Sequence, residues 1–163
     1  MKIKKVYIAT KAFINKGGRL LILREALTGE NKFDPGRYDV VGGRIAPGQS
    51  IFDSLKKEAK TQTGLDIRVR KPFYVDELLS LTDEEKWHIV CIYFECTSDD
   101  NEVSLGEEYD NYEWIDPENY GQFYLYRELH KAFEYYLSLN KTDEKSSLNK
   151  KFLKLKKEQR DKD

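Results

Sequence analysis

The chain has 163 residues, of which 39% are hydrophobic, 13% aromatic and 35% charged, with a formal net charge of −1. These values predict one globular domain with a full-sized core and a heavily ionised surface. No run of about 18 apolar residues occurs, which argues against a membrane-spanning helix. Residues Met1–Lys5 lack a secretory apolar region, and the charge balance does not favour nucleic-acid binding. We therefore expect a cytoplasmic protein with no membrane or nucleic-acid partner.

The first part of the chain reads as a series of strands. Val6–Ile14 predicts a central strand, and Asn15–Gly18 predicts a hairpin turn into the antiparallel strand Arg19–Arg24. A polar loop, Glu25–Arg37, then leads to the short strand Tyr38–Val41.

A glycine-rich loop, Gly42–Gly48, is followed by the clearest helix signal in the sequence. Ser50 is an N-cap residue with Asp53 three positions later, and Gly64 is suited to end the helix in a left-handed conformation. Helical spacing predicts four core-facing residues: Ile51, Phe52, Leu55 and Ala59. Glu58, Thr61 and Gln62 share another face, because residues three and four apart are neighbours on a helix.

The second part continues the alternation of strands and loops. The predicted strands are Asp66–Val75, Trp87–Cys96 and Tyr112–Ile115, with a hydrophilic connection at Thr82–Lys86 and an acidic loop at Thr97–Glu108. Asp116-Pro117 predicts a turn or short helix. An amphipathic helix is expected over Tyr124–Leu139, with inward residues Leu125, Leu129, Phe133, Tyr136 and Leu137.

Two cysteines, Cys91 and Cys96, are five positions apart in one predicted strand. Side chains at that spacing project to opposite faces, so we expect two reduced core thiols rather than a disulfide.

Charge is unevenly distributed along the chain. Residues 76–118 hold 15 acidic residues against one lysine, whereas residues 1–75 hold 16 basic against 7 acidic. The acidic run is either a solvated face or part of the wall of the cleft that holds the glycine loop. We predict a domain over residues 1–139 and a charged, flexible tail over 140–163. Leu148, Phe152 and Leu155 would give this tail at most a marginal helix, disordered or docked on a partner.

The stretch from the glycine loop to the end of its helix resembles the signature of the Nudix hydrolase superfamily. Gly43, Glu58, Gly64 and Leu65 match that signature without a gap, and Lys57 replaces its arginine. The lead-in, Tyr38 to Gly43, is similar as well. Gln49, Thr61 and Gln62 stand where the family has three further glutamates. The likeness covers residues 5–138 and implies an α/β fold, a Nudix-type α/β/α sandwich around a mixed sheet, with homodimers common in the family.

The resemblance implies hydrolysis of a diphosphate linkage by water, with magnesium or manganese held by carboxylates on the helix face. Magnesium prefers charged oxygen ligands, and three of the four signature glutamates are replaced. The remaining metal-ligand candidates are Glu58, Gln62 and Glu107. The catalytic candidates are Glu58, Lys57 and Glu108. Lys57 would orient Glu58 or meet a phosphate, or is simply exposed.

For the ligand, the resemblance points to the glycine loop and to aromatic residues before it. The candidates are Gly42, Gly43, Arg44, Tyr38 and Phe33, with Tyr74 as a further aromatic and His88 as either a ligand contact or a structural histidine.

Two functions of different class remain open at this point. One is a Nudix-fold module that binds a nucleotide-like or phosphorylated ligand with weak or no hydrolysis. The other is a divergent magnesium-dependent hydrolase of nucleoside diphosphate-linked substrates that uses Glu58 with Glu107 or Glu108. If no hydrolysis survives, the protein needs no cofactor.

Overall fold

A computed structural model describes residues 5–27, 35–81 and 86–160. Its strands are β1 (Lys5–Lys16), β2 (Arg19–Glu25), β3 (Tyr38–Asp39), β4 (Val41–Arg44), β5 (Arg68–Leu81), β6 (Lys86–Thr97) and β7 (Tyr109–Ile115). Helix α1 covers Ile51–Thr63, a 3-10 helix covers Pro117–Gln122, and helix α2 covers Arg127–Arg160. The order of strands and helices follows the sequence prediction, except that two strands, β3 and β4, stand where the single strand Tyr38–Val41 was expected.

All described strands belong to one mixed sheet. Its main path runs β3-β2-β1-β6-β5, with β4 paired to β1 and β7 paired to β2. Among the strand pairs in the described residues, only β1–β6 is parallel. The hairpin from β1 to β2 turns at Gly17 and Gly18, whose φ angles of 59° and 84° suit glycine. The central position predicted for the first strand is confirmed.

Two hydrophobic layers cover the two faces of this sheet. On one face α1 packs through Leu55 and Ala59, and on the other α2 packs through Leu129 and Phe133. The result is a three-layer α/β/α sandwich in a single domain, as expected. Both thiols are buried and free, with Cys91 in the α2 layer and Cys96 in the α1 layer. Burial raises the pKa of Cys96 to about 12.

Helix α1 begins and ends where the sequence indicates. The Ser50 hydroxyl accepts a hydrogen bond from the Asp53 amide at 3.3 Å, and Gly64 ends the helix at φ 72°. One part of the predicted core stripe is wrong. Ile51 and Phe52 are 37% and 47% exposed. Ile51 lines an open cleft, and Phe52 packs edge to face on Phe94 at 5.7 Å while staying partly open to solvent. Only the later residues, Leu55 and Ala59, reach the core.

The predicted glycine loop begins as a strand. Gly42, Gly43 and Arg44 belong to β4 and pair with β1, and the irregular segment starts at Ile45. A Cβ on Gly42 would lie 2.2 Å from the Thr10 carbonyl oxygen. Glycine is therefore required at position 42 by close backbone packing.

Helix α2 begins three residues later than predicted and continues far beyond Leu139 as one helix to Arg160. The proposed domain boundary at residues 139 and 140 stays a prediction. In the part of the chain that the structure describes, no helix is long and apolar enough to cross a membrane.

Candidate functional site

An open cleft lies where α1 meets β4 and the start of β1. Its volume is about 860 Å³, which is within the range of small-molecule sites. Its lining includes the apolar side chains of Val6, Ile8 and Ile51 and the charged side chains of Arg44 and Glu58. The cleft therefore presents both charged and apolar groups to a ligand.

The Gln62 side chain ties α1 to β4 at the inner end of this site. Its amide nitrogen donates to the Glu58 carboxylate at 3.0 Å and to the Gly42 carbonyl at 2.8 Å. Its amide oxygen accepts from the Gly42 N–H at 3.2 Å. Gln62 is buried and both ends of its carboxamide are used. The predicted shared face of Glu58 and Gln62 is confirmed, but Gln62 acts there as a structural clamp.

The Glu58 carboxylate is half-buried beside Gly43. A Cβ on Gly43 would lie 3.0 Å from the Glu58 carboxyl carbon, so glycine makes room for this side chain. Burial, followed by repulsion from Glu108, raises the pKa of Glu58. The Gln62 hydrogen bond and the charge of Lys57 act to lower this pKa, but the net effect is a rise. Glu108 therefore lies within electrostatic reach of Glu58, as the sequence hypothesis required. Glu107 and Glu108 are both exposed at the end of the acidic loop.

Arg44 is held at the mouth of the cleft by two aromatic rings. Its guanidinium carbon lies 4.7 Å from the ring centre of Tyr7 and 5.1 Å from that of Trp87. The rings meet edge to face at 5.6 Å. Stacking of this kind restricts the guanidinium, so Arg44 presents a positioned positive charge to the cleft.

A largely buried ion pair between β1 and β3 lies on the opposite face of the sheet, under α2. The Lys11 ammonium donates to the Asp39 carboxylate at 2.6 Å. Burial acts to lower the pKa of Lys11, but Asp39 outweighs it and the pKa is raised. The pair lines a cavity of about 110 Å³ together with Cys91 and Tyr93.

The remaining candidates occupy other surroundings. Tyr38 packs edge to face on Phe123 at 5.6 Å. Tyr74 packs on Tyr93 and Tyr135. Both tyrosines therefore belong to the packing on the α2 side of the sheet. Lys57 is exposed on α1, and His88 pairs with Glu77 at 2.6 Å. Phe33 lies outside the described residues.

The donor set does not fit a family-type magnesium site. Magnesium prefers charged oxygens in octahedral geometry. Among residues 5–27, 35–81 and 86–160, no group of three or more His, Cys, Asp or Glu side chains could hold a metal ion. Gln62 is engaged by Gly42 and Glu58, and Thr61 is exposed and uncharged. No metal-dependent step is assigned to these residues.

Sequence reasoning missed two features of the site. The clamp between Gln62 and Gly42 carries no local signal, since the two residues are 20 positions apart. The pairs of Arg44 with Tyr7 and Trp87 also join distant positions. Lys11 was detectable, because a lysine inside an apolar strand indicates a buried partner.

Comparison with known proteins was informative at the level of family and fold. Residues 7–137 match the sequence profile of the NUDIX domain. The chain is 32% identical over 92 residues to nucleoside triphosphatase NudI of Escherichia coli. The aligned residues make up 52% of this chain and 65% of that protein. The chain is 26% identical over 98 residues to the protein of the same name from Escherichia fergusonii, covering 56% of this chain and 70% of the relative.

A solved structure agrees with this relationship. The MutT protein from Methanosarcina mazei has a TM-score of 0.73 and 25% identity, and the match covers 85% of this chain and 97% of that one. Nudix hydrolases generally use divalent metal ions such as magnesium. The match spans most of the chain, and the chain therefore belongs to the Nudix family.

Proposed function

We propose that this protein binds a nucleoside phosphate in the cleft beside α1 and hydrolyses it weakly or not at all. The observation that carries the proposal is the Gln62 clamp. A neutral carboxamide joins Glu58 directly to Gly42, where a second carboxylate would need a cation between the two negative groups. The site is thus held together without metal.

The choice of ligand class rests on the cleft and on the relatives. Arg44 supplies a positioned positive charge for a phosphate, and the apolar side chains of the lining can contact the nucleoside part. Two relatives are named nucleoside triphosphatases. The Gly42 N–H already donates to Gln62, so a phosphate would meet Arg44 and the segment from Ile45 to Ser50 instead.

Binding is tested by titrating the protein with ATP and ADP-ribose in the absence of divalent metal. Amide NMR signals of residues 44–50 should shift, and Arg44→Gln should weaken the affinity by roughly tenfold, the loss of one charge-assisted hydrogen bond. Arg70→Gln, on the edge strand β5, removes an equal charge and should have no effect. Shifts confined to the lysine-rich end of α2 would contradict the proposal.

Hydrolysis is tested by phosphate release from a nucleotide panel with magnesium or manganese. We expect little or no turnover in the parent protein and stronger metal binding in the double variant Thr61→Glu with Gln62→Glu. Any residual rate should fall by roughly 10²–10⁴-fold in Glu58→Gln, the usual loss for a general base. Rapid turnover in the parent that is unchanged in Glu58→Gln would place the chemistry elsewhere.

The second candidate is a divergent metal-dependent hydrolase that uses Glu58 with the acidic loop. It is favoured by one observation, the electrostatic effect of Glu108 on Glu58. Glu108→Gln and Glu107→Gln form a matched pair of neighbours for this test. On the hydrolase alternative, Glu108→Gln lowers the rate more than Glu107→Gln, whereas equal small effects support the binding function.

A further inference from the structure

Beyond Leu139, α2 leaves the body of the protein. Leu129, Ala132, Phe133 and Tyr136 are buried against the sheet, but every residue from 140 to 157 is exposed. At 1.5 Å per residue, the part from Asn140 to Arg160 extends about 30 Å. An isolated helix of this length is only marginally stable in water, so this extension is suited to a partner.

The extension carries a basic amphipathic segment, residues 145–157. It contains six lysines and no acidic residue. Leu148, Phe152 and Leu155 lie at helical spacing on one stripe and are 60%, 66% and 58% exposed. At 100° per residue, Lys145 and Lys151 flank Leu148 by about 60° on either side. The lysine heads can stay in a polar layer while the stripe enters an apolar one.

The charge pattern decides between partners. A second copy of the same helix would bring twelve lysines together along a stripe of only three large residues, which disfavours self-pairing. A nucleic acid would use the lysines but leave the leucines and Phe152 without a role. An anionic lipid surface uses both features, since headgroups attract the lysines and the acyl boundary accepts the stripe.

We propose that residues 145–157 dock the protein on the surface of an anionic lipid bilayer, with the helix lying in the plane of the interface. The expectation of no membrane partner rested on the absence of a spanning segment, which has no bearing on surface binding. This proposal is independent of the function of the cleft.

The test is flotation of the full chain with vesicles of phosphatidylcholine alone or with about 30 mol% phosphatidylglycerol, an anionic surface. Binding to the anionic vesicles should be at least about tenfold stronger, and about 0.5 M salt should weaken it, because screening is strong there. Equal binding to both compositions, or none to either, would overturn the proposal.

Variants separate the two features of the segment. Lys150→Gln with Lys151→Gln removes charge, and Leu148→Ser with Phe152→Ser removes the stripe; each should weaken anionic-vesicle binding by roughly tenfold or more. The matched control is Lys131→Gln with Arg70→Gln, which removes two exposed charges from the body of the protein. This control should not weaken binding to anionic vesicles.

Full binding by the Leu148→Ser, Phe152→Ser variant would mean that the stripe does not insert, and the proposal would be wrong. Two other results would also overturn it. One is binding to duplex DNA or RNA without binding to vesicles. The other is concentration-dependent dimerisation in sedimentation velocity that disappears in the same stripe variant, which would assign the stripe to a second copy.

Discussion

The two faces of the sheet hold charge in different ways. On the α2 face, Lys11 and Asp39 neutralise each other at 2.6 Å, with side chains only 19% and 15% exposed. On the α1 face, the Glu58 carboxylate has a neutral amide as its hydrogen-bond partner and a second carboxylate, Glu108, nearby. A closed ion pair stabilises a fold, whereas an uncompensated charge beside a cleft is available to a ligand. We therefore assign a structural role to the Lys11–Asp39 pair and keep the proposed ligand site on the face of Glu58.

The largest expected effect comes from Gly42→Ala. Its Cβ would overlap the Thr10 carbonyl oxygen, and both groups are backbone, so β4 would have to separate from β1. We expect a loss of about 4 kcal/mol or more in the free energy of unfolding, the range of severe core changes. Chemical denaturation measures it. A variant with parent stability would show that β4 tolerates displacement.

Asp39→Asn should have the next largest effect on the free energy of unfolding, because it leaves the largely buried Lys11 ammonium without its counter-charge. Breaking one side of a buried pair costs about 3–5 kcal/mol. Asp110→Asn is the control, since the Arg24–Asp110 distance of 2.7 Å is close to the 2.6 Å of Lys11–Asp39 but the pair is about one-third exposed, and surface pairs are worth about 1 kcal/mol or less.

The pH dependence of Asp39→Asn has a defined sign. The pKa of Lys11 is raised in the folded protein, so its contribution to stability is complete below its ordinary value of 10.5 and is lost as the pH rises above it. The contribution of Lys11 to the stability of the parent should therefore be constant from about pH 6 to 9. In Asp39→Asn, burial acts to lower the pKa of Lys11 without Asp39 to raise it, so the difference in stability between parent and variant should shrink as the pH rises toward 10.5. A difference that grows as the pH rises would contradict the pairing.

Gln62→Glu tests the clamp on the α1 face. The new carboxylate faces the Gly42 carbonyl and Glu58, and it loses both donated hydrogen bonds. We expect a loss of about 1–3 kcal/mol without metal, which lowers Tm by about 2–4 °C per kcal/mol, and recovery on adding magnesium. Gln122→Glu, on the exposed 3-10 helix, should show neither effect. Recovery by sodium chloride alone would indicate charge screening instead of metal binding.

Gly43→Ala should have a smaller effect on stability than Gly42→Ala, although the positions are adjacent. Its Cβ meets the far end of the Glu58 side chain, which can rotate away, so we expect a loss of about 1 kcal/mol. Glu58 should then leave Gln62, and nucleotide affinity should fall. Equal losses of stability in Gly42→Ala and Gly43→Ala would contradict the distinction between a contact with backbone at Gly42 and a contact with a movable side chain at Gly43.

Deleting residues 141–163 should have the smallest effect on folding. Residues 141–157 are all exposed, so little packing is lost, and Tm should stay within about 2–4 °C, equivalent to about 1 kcal/mol. A fall of more than about 10 °C in calorimetry would show that this segment packs on the body or across a dimer.

Local signals determined the boundaries of α1 and the nature of the hairpin. Ser50 and Gly64 cap the helix through contacts within four residues, and Gly17 and Gly18 form the turn by themselves. Sequence placed Ile51 and Phe52 in the core because periodicity predicts a face but not how far the neighbouring layer extends over it. The sequence pattern predicted that α2 ends at Leu139, because the core-facing residues stop there. The chain nevertheless remains helical to Arg160.

By itself, the sequence determined the mixed α/β architecture, the family resemblance and the candidate status of Glu58, since these depend on patterns and spacings along the chain. Only the tertiary structure decided what Gln62 does. Its clamp on Gly42, the closed pair of Lys11 with Asp39, and the stacking of Arg44 on Tyr7 and Trp87 all join residues on different elements. Hydrogen bonds and charge interactions depend on distance in space, and spacing along the sequence does not specify that distance.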